Sequence, residues 1–164
     1  MKSKALSSPK GPRTKLVQTL ATEVGRTLST HTVMLHAAVA ERLGLNITDH
    51  KALDFACRGG GAVTAGELAE LTGLTTGAIT GVIDRLEKAG FARRERDPND
   101  RRRIIIRPIP SRAQEIGRLF ESLAQAMTKL CSQYTDRDLT LMIEFFDQVT
   151  HLVQEETRKL RTAQ

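Results

Sequence analysis

The sequence predicts a mainly α-helical chain with one small β-wing, and three observations predict it. Two short amphipathic helices meet at a tight turn between Thr64 and Lys88. An arginine-loaded hairpin follows them directly, over residues 91–107. Long helical stripes of apolar residues flank this centre on both sides, with more apolar surface than one small domain can cover. Together these describe a winged helix-turn-helix over about residues 48–109. N- and C-terminal dimerisation helices would occupy about 14–43 and 111–161.

Residues 1–13, MKSKALSSPKGPR, are rich in Ser, Pro, Gly and Lys and read as a disordered basic tail. From Thr14 a long helix is expected to Leu43, with Gly44 ending it. Leu16, Leu20, Val24, Leu28, Leu35, Val39 and Leu43 recur mostly at fours and sevens, a helix-pairing pattern. A second helix is expected after the loop at Asn46, capped by Thr48 and carrying Leu53, Phe55 and Ala56. It stops at Gly59-Gly60-Gly61, which lacks the spacing and the Lys-Ser/Thr of a phosphate loop and reads as a connector. Ala62-Val63 would form a short strand able to pair with the wing.

The first helix of the central pair opens at Thr64, with Glu67 three residues on, the pattern of a capping box. Gly73 suits the turn, because a positive φ costs glycine little. Thr75 caps the second helix, and Gly90 ends it in the left-handed conformation. Leu68, Leu74, Ile79 and Val82 should form a small core where the helices cross, with Ala69 permitting the close approach. This leaves Thr76, Gly77, Thr80, Gly81 and Asp84 facing solvent. A face of small and hydroxyl side chains suits a helix that enters a major groove.

Two strands, Phe91 to Arg96 and Arg103 to Arg107, are joined by Asp97-Pro98-Asn99-Asp100-Arg101-Arg102. The tip carries Arg101 and Arg102, long cations suited to a narrow, electronegative minor groove. Asp100 can hold one guanidinium by a charge-assisted hydrogen bond. Beyond the wing, Ser111 is expected to cap a helix to Cys131, and Thr135 to start another reaching Leu160.

This central stretch resembles the winged helix-turn-helix of the MarR family of bacterial transcriptional regulators. The resemblance is carried by Leu74 to Arg103, LTTGAITGVIDRLEKAGFARRERDPNDRRR, above all by Asp100-x-Arg102. It implies one MarR-like domain over 14–164, acting as a homodimer on double-stranded DNA at a pseudo-palindromic operator, as a repressor in the cytoplasm. In the family the arginine at the Arg102 position enters the minor groove, and the helix at Thr75 to Lys88 reads the major groove. The DNA-binding set is then Thr75, Thr76, Gly77, Thr80, Gly81, Arg85, Asp100, Arg101 and Arg102, with Thr75 and Arg85 on phosphate. Gly81 departs from many relatives, which carry an arginine at or near that position, so the wing and DNA shape should carry more of the readout. Pro108 and Ile109 replace the family's Leu-Thr at the end of the second wing strand. The resemblance also implies release by a small aromatic or phenolic effector in a crevice near His31, Leu35, Phe55 and Leu119.

Composition supports this class and excludes others. The net charge is +6 over 164 residues. Residues 1–15 carry five Lys or Arg and no acid, and residues 85–107 carry nine basic against four acidic side chains, leaving the rest net acidic. Positive charge confined to the tail and wing fits contact with phosphate. No apolar run reaches membrane-spanning length and no secretory signal is visible at the start. Cys57 and Cys131 have no metal-ligand spacing and read as buried, reduced thiols; redox-sensing relatives carry their cysteine near the start of the first long helix, where this chain has none. No nucleophile-His-acid order, nucleotide loop or paired carboxylate stands out, and the four histidines are scattered over separate helices. No cofactor or metal is expected. The alternative in another class is a winged-helix module that binds protein, against which the arginines of the wing argue.

Overall fold

The computed structural model describes residues 11–58 and 62–162. The triple glycine and most of the basic tail lie outside the described residues. The helices are α1 (Pro12–Thr22), α2 (Ser29–Arg42), α3 (Ile47–Arg58), α4 (Ala65–Thr72), α5 (Thr76–Lys88), α6 (Pro110–Cys131) and α7 (Asp136–Thr162). The strands are β1 (Val63–Thr64), β2 (Ala92–Arg96) and β3 (Ile104–Pro108). The chain divides into two compact units, one ending at Ile116 and the other beginning at Gly117.

The first unit contains the expected helix-turn-helix and wing. Thr64 and Glu67 form a complete capping box, Gly73 takes φ 69° in the turn, and Thr75 accepts from the Ala78 N–H. Gly90, at φ 72°, lets the chain leave α5 and enter the wing. The sheet is antiparallel in the order β1-β3-β2. Val63 pairs with Ile106, so β1 does anchor the wing's base, one residue later than Ala62-Val63. Ala52, Leu53 and Ala56 of α3 form the core with Leu68, Ile79, Val82, Ile83, Leu86, Phe91 and Ile106. Leu74 and Ala69 pack at its margin.

Several boundaries differ from expectation for identifiable reasons. The first long helix starts at Pro12, not Thr14, because proline's preset φ suits the first helical turn. Its path between α1 and α2 is a π-helical turn, Glu23–Leu28. Asn46 rather than Thr48 caps α3: its Oδ1 accepts from the Asp49 N–H at 2.8 Å, and its Nδ2 donates to Asp49 at 2.9 Å. Likewise α6 opens at Pro110, so Ser111 lies inside the helix. The strands begin at Ala92 and Ile104, one residue late on each side, and Phe91 is a core residue instead.

The two cysteines are free, but not buried as expected: Cys57 is exposed and Cys131 half-buried. Nor are all four histidines apart. His36 of α2 and His50 of α3 share a 3.1 Å hydrogen bond, and His50 is buried with its Nδ1 unpartnered.

The second unit is helical. The Thr135 hydroxyl donates to Asp138 at 2.7 Å while the Asp138 N–H points back to it, which starts α7. No residue of α6 or α7 is buried. Leu123, Met127, Leu130, Ile143, Phe146 and Val153 are all exposed.

Candidate nucleic-acid interface

The interface is built on α5 because its two faces differ. Ile79, Val82, Ile83 and Leu86 are buried, which turns Thr76, Gly77 and Thr80 to solvent. The Thr80 hydroxyl donates to the Thr76 carbonyl at 2.9 Å, leaving its oxygen able to accept. Thr75 is exposed and its oxygen is engaged by the cap at 3.2 Å. A Cβ at Gly77 would meet nothing within 4 Å, and one at Gly81 would meet only Arg85 Nη1, at 3.5 Å. Neither glycine is required by packing, although each weakens a helix interior by about 1 kcal/mol.

Ion pairs sort the arginines into two groups. Arg94 of β2 reaches back to α5, with Nη2 donating to Asp84 at 2.6 Å, Nη1 to Glu87, and its backbone N–H to Glu87 at 2.6 Å. These contacts fix the wing against α5 and hold the Arg94 guanidinium above its ordinary range, Asp84 contributing most. Arg93 and Arg107 both pair with Glu95, whose carboxyl is pushed down chiefly by the Arg107 hydrogen bond. Arg103 pairs with Glu67 at 3.4 Å, linking the wing to α4. Glu67 itself is held low mainly by the Thr64 backbone N–H of the capping box. The even arginine charge of the sequence is therefore unevenly presented.

At the wing tip the arrangement is different. Asp100 accepts from the Arg102 backbone N–H at 3.1 Å and from Nε at 3.3 Å, and the Arg102 side chain is 92% exposed. Arg101 beside it is exposed as well. Two loop contacts, Asp97 N–H to Arg103 O at 3.0 Å and Arg103 N–H to Asp100 O at 2.9 Å, close the turn that carries both.

Arg85 is on the same helix, one turn beyond Gly81, and Asp49 of α3 grips it from below. This partner, 36 residues away, is one that sequence reasoning missed. The local sign was the cap: Asp49 stands three residues after Asn46, so its carboxylate is held at the start of α3. Arg94 was also missed as a brace, although Asp84 and Glu87 one turn apart on α5 offered a matching pair of carboxylates. Among the described residues, no group of three or more His, Cys, Asp or Glu could hold a metal. No helix there is long and apolar enough to cross a membrane.

A helix-turn-helix whose second helix exposes a low-relief face, followed at once by a hairpin with an arginine tip, defines a winged helix-turn-helix protein. A family model described as "MarR family" matches residues 43–103. The chain is 42% identical over 154 residues to YcgE, an uncharacterized HTH-type transcriptional regulator of Bacillus subtilis, covering 94% of this chain and 99% of that protein. Among solved structures it resembles a MarR protein from Peptoclostridium difficile, with a TM-score of 0.62 at 18% identity, over 98% of this chain and 99% of that one. It also resembles a MepR mutant of S. aureus bound to an oligodeoxyribonucleotide, with a TM-score of 0.53 at 16% identity, over 80% of this chain and 96% of that one. The chain belongs to the MarR family of DNA-binding transcriptional regulators.

Proposed function

We propose that the protein is a cytoplasmic repressor, acting by binding rather than catalysis, and that it sits as a homodimer on a pseudo-palindromic operator. The observation that carries the DNA-reading part is the combination of an exposed α5 face, with two glycines that packing does not require, and a wing tip whose Arg102 is held out by Asp100. In this reading Thr76, Gly77, Thr80 and Gly81 approach base edges, the glycines by letting the backbone come close. Thr75 and Arg85 meet phosphate, and Arg101 and Arg102 enter the minor groove, with Asp100 orienting the latter.

The homodimer is supported by α6 and α7, which bury no residue within their own chain and expose long apolar stripes. A two-fold dimer would set two α5 helices in successive major grooves, about 34–36 Å apart. Release by a small aromatic or phenolic effector is the regulatory part. Of the four residues expected at the crevice, only Phe55 borders a groove, of about 390 Å³, lined also by Ile47, Thr48, Lys51, Leu71, Thr72 and Leu74; His31, Leu35 and Leu119 do not line it. An effector acts only if it binds the DNA-incompetent conformer more tightly, and about 1.4 kcal/mol of preference gives tenfold induction.

The test is a salt titration of binding to a duplex from the gene's own upstream region, beside a scrambled duplex. The reading expects log affinity to fall steeply with log salt and the upstream duplex to bind more tightly. Equal binding to both would remove sequence recognition, and no binding at low salt would remove DNA as the partner.

A further inference from the structure

The Asp49–Arg85 contact joins two helices with unequal exposure. The Asp49 side chain is 3% exposed, whereas that of Arg85 is 53% exposed. Arg85 Nε donates to Oδ2 at 2.8 Å and Nη2 to Oδ1 at 2.7 Å, a two-point fork. The carboxylate is itself fixed, since Asn46 Nδ2 donates to Oδ2 at 2.9 Å and the Asp49 backbone N–H is tied to Asn46 Oδ1. Asp49 thus cannot follow the guanidinium if it moves. The guanidinium is held in one plane.

A guanidinium has five N–H groups, and the fork uses two of them. Nη1 lies at the unforked end, 3.5 Å from where a Cβ on Gly81 would stand, beside the turn of α5 that precedes Arg85. A bare backbone at position 81 therefore keeps that end uncovered. Burying both partners would cost the desolvation of two charges. Here one partner is buried and the other is left half in solvent on the recognition helix.

We propose that Asp49 is a positioning residue for DNA: it fixes the Arg85 guanidinium so that its uncovered edge meets a backbone phosphate beside α5. This rests on the DNA-binding reading above. Fixing a long side chain before binding removes the entropy otherwise lost when it docks. Asp49 also cancels part of the charge that phosphate would attract, so positioning and simple electrostatics predict opposite signs for its removal. That opposition makes the proposal testable.

The probe is a duplex enriched from a random-sequence pool by the wild-type protein, with affinity measured on folded protein at several salt concentrations. Asp49→Asn adds one net positive charge, yet positioning expects it to bind about tenfold more weakly, the scale of one charge-assisted hydrogen bond. The salt slope should fall by about one, as for one lost phosphate contact. Arg85→Gln should show the same loss, and the double variant should be no worse than Arg85→Gln alone. Arg85→Lys, which keeps the charge but cannot fork, guards against a folding defect in Asp49→Asn; it too should bind more weakly while its circular dichroism stays that of the folded wild type. Asp49→Asn binding as tightly as wild type or tighter, or Arg85→Lys binding normally, would overturn the proposal while leaving the DNA reading intact. Failure of the wild-type protein to enrich any duplex would instead remove the DNA reading, and this inference with it.

Discussion

Arg102 and Gly77 are the two positions where one side chain, or the lack of one, has a consequence readable in isolation. Arg102 makes no contact that folding needs beyond its own loop, so Arg102→Ala should leave thermal stability almost unchanged. It should weaken operator binding by about 1–3 kcal/mol, measured by fluorescence anisotropy; unchanged affinity would take the wing out of the mechanism. Gly77→Ala should separate fold from function even more sharply. With open space around the position, alanine should raise stability by about 0.5–1 kcal/mol in urea melts. If the helix backbone must approach bases there, the same change should weaken DNA binding. Tighter or equal binding by the more stable variant would assign Gly77 no part in recognition. Residues governed by near neighbours were legible in the sequence: the Thr64–Glu67 box, the Thr75 cap and Gly90 all depend on atoms within four positions. Arg85 was not, because its partner Asp49 comes from another helix and only the fold brings them together.

Helices and strands show why boundaries slip while identities hold. Asn46 and Thr48 are both able caps, but only Asn46 has an acid three residues later to return the hydrogen bond; Thr48 has Lys51. Asn46→Ala should therefore cost about 1 kcal/mol of stability, and Thr48→Ala much less, which chemical denaturation can resolve. The α2–α3 pair carries a pH dependence as well. Burial pushes His50 and His36 below the ordinary imidazole value, with His36 acting further on His50 and Lys51 on His36; Asp54 opposes the shift and Arg58 adds to that on His36. The unfolded chain then takes up protons first as the pH falls. Stability should be full above about pH 6.5 and decline below it, down to the lowered native values. Urea midpoints from pH 7.5 to 5 should show this decline, and His50→Gln should flatten it; an equal slope in the variant would place the titration elsewhere. None of this pairing was legible in a sequence where His36 and His50 fall on separate helices.

For the molecule as a whole, the exposed apolar surface of α6 and α7 is what the proposed dimer rests on. Val153 is exposed within its own chain, so Val153→Asp should leave the winged unit folded while splitting the proposed dimer. Sedimentation and circular dichroism together read both parts, and an intact dimer would place the interface elsewhere. The apolar stripes on these helices were legible in the sequence as surplus surface. What covers them was not, since a single chain has no term for its partner. The π-helical turn between α1 and α2 bears on this assembly. On a continuous α-helix the line through Leu16 and Leu20 would stand about 100° around the axis from that through Leu35 and Val39; each residue in the π-helical turn advances less, which brings the two lines back toward one face. The spacing of fours and sevens written into the sequence is thereby drawn toward a single line in spite of the change of winding. A second chain following this helix would keep to one flank, as a thread keeps its groove where the pitch of a screw is altered.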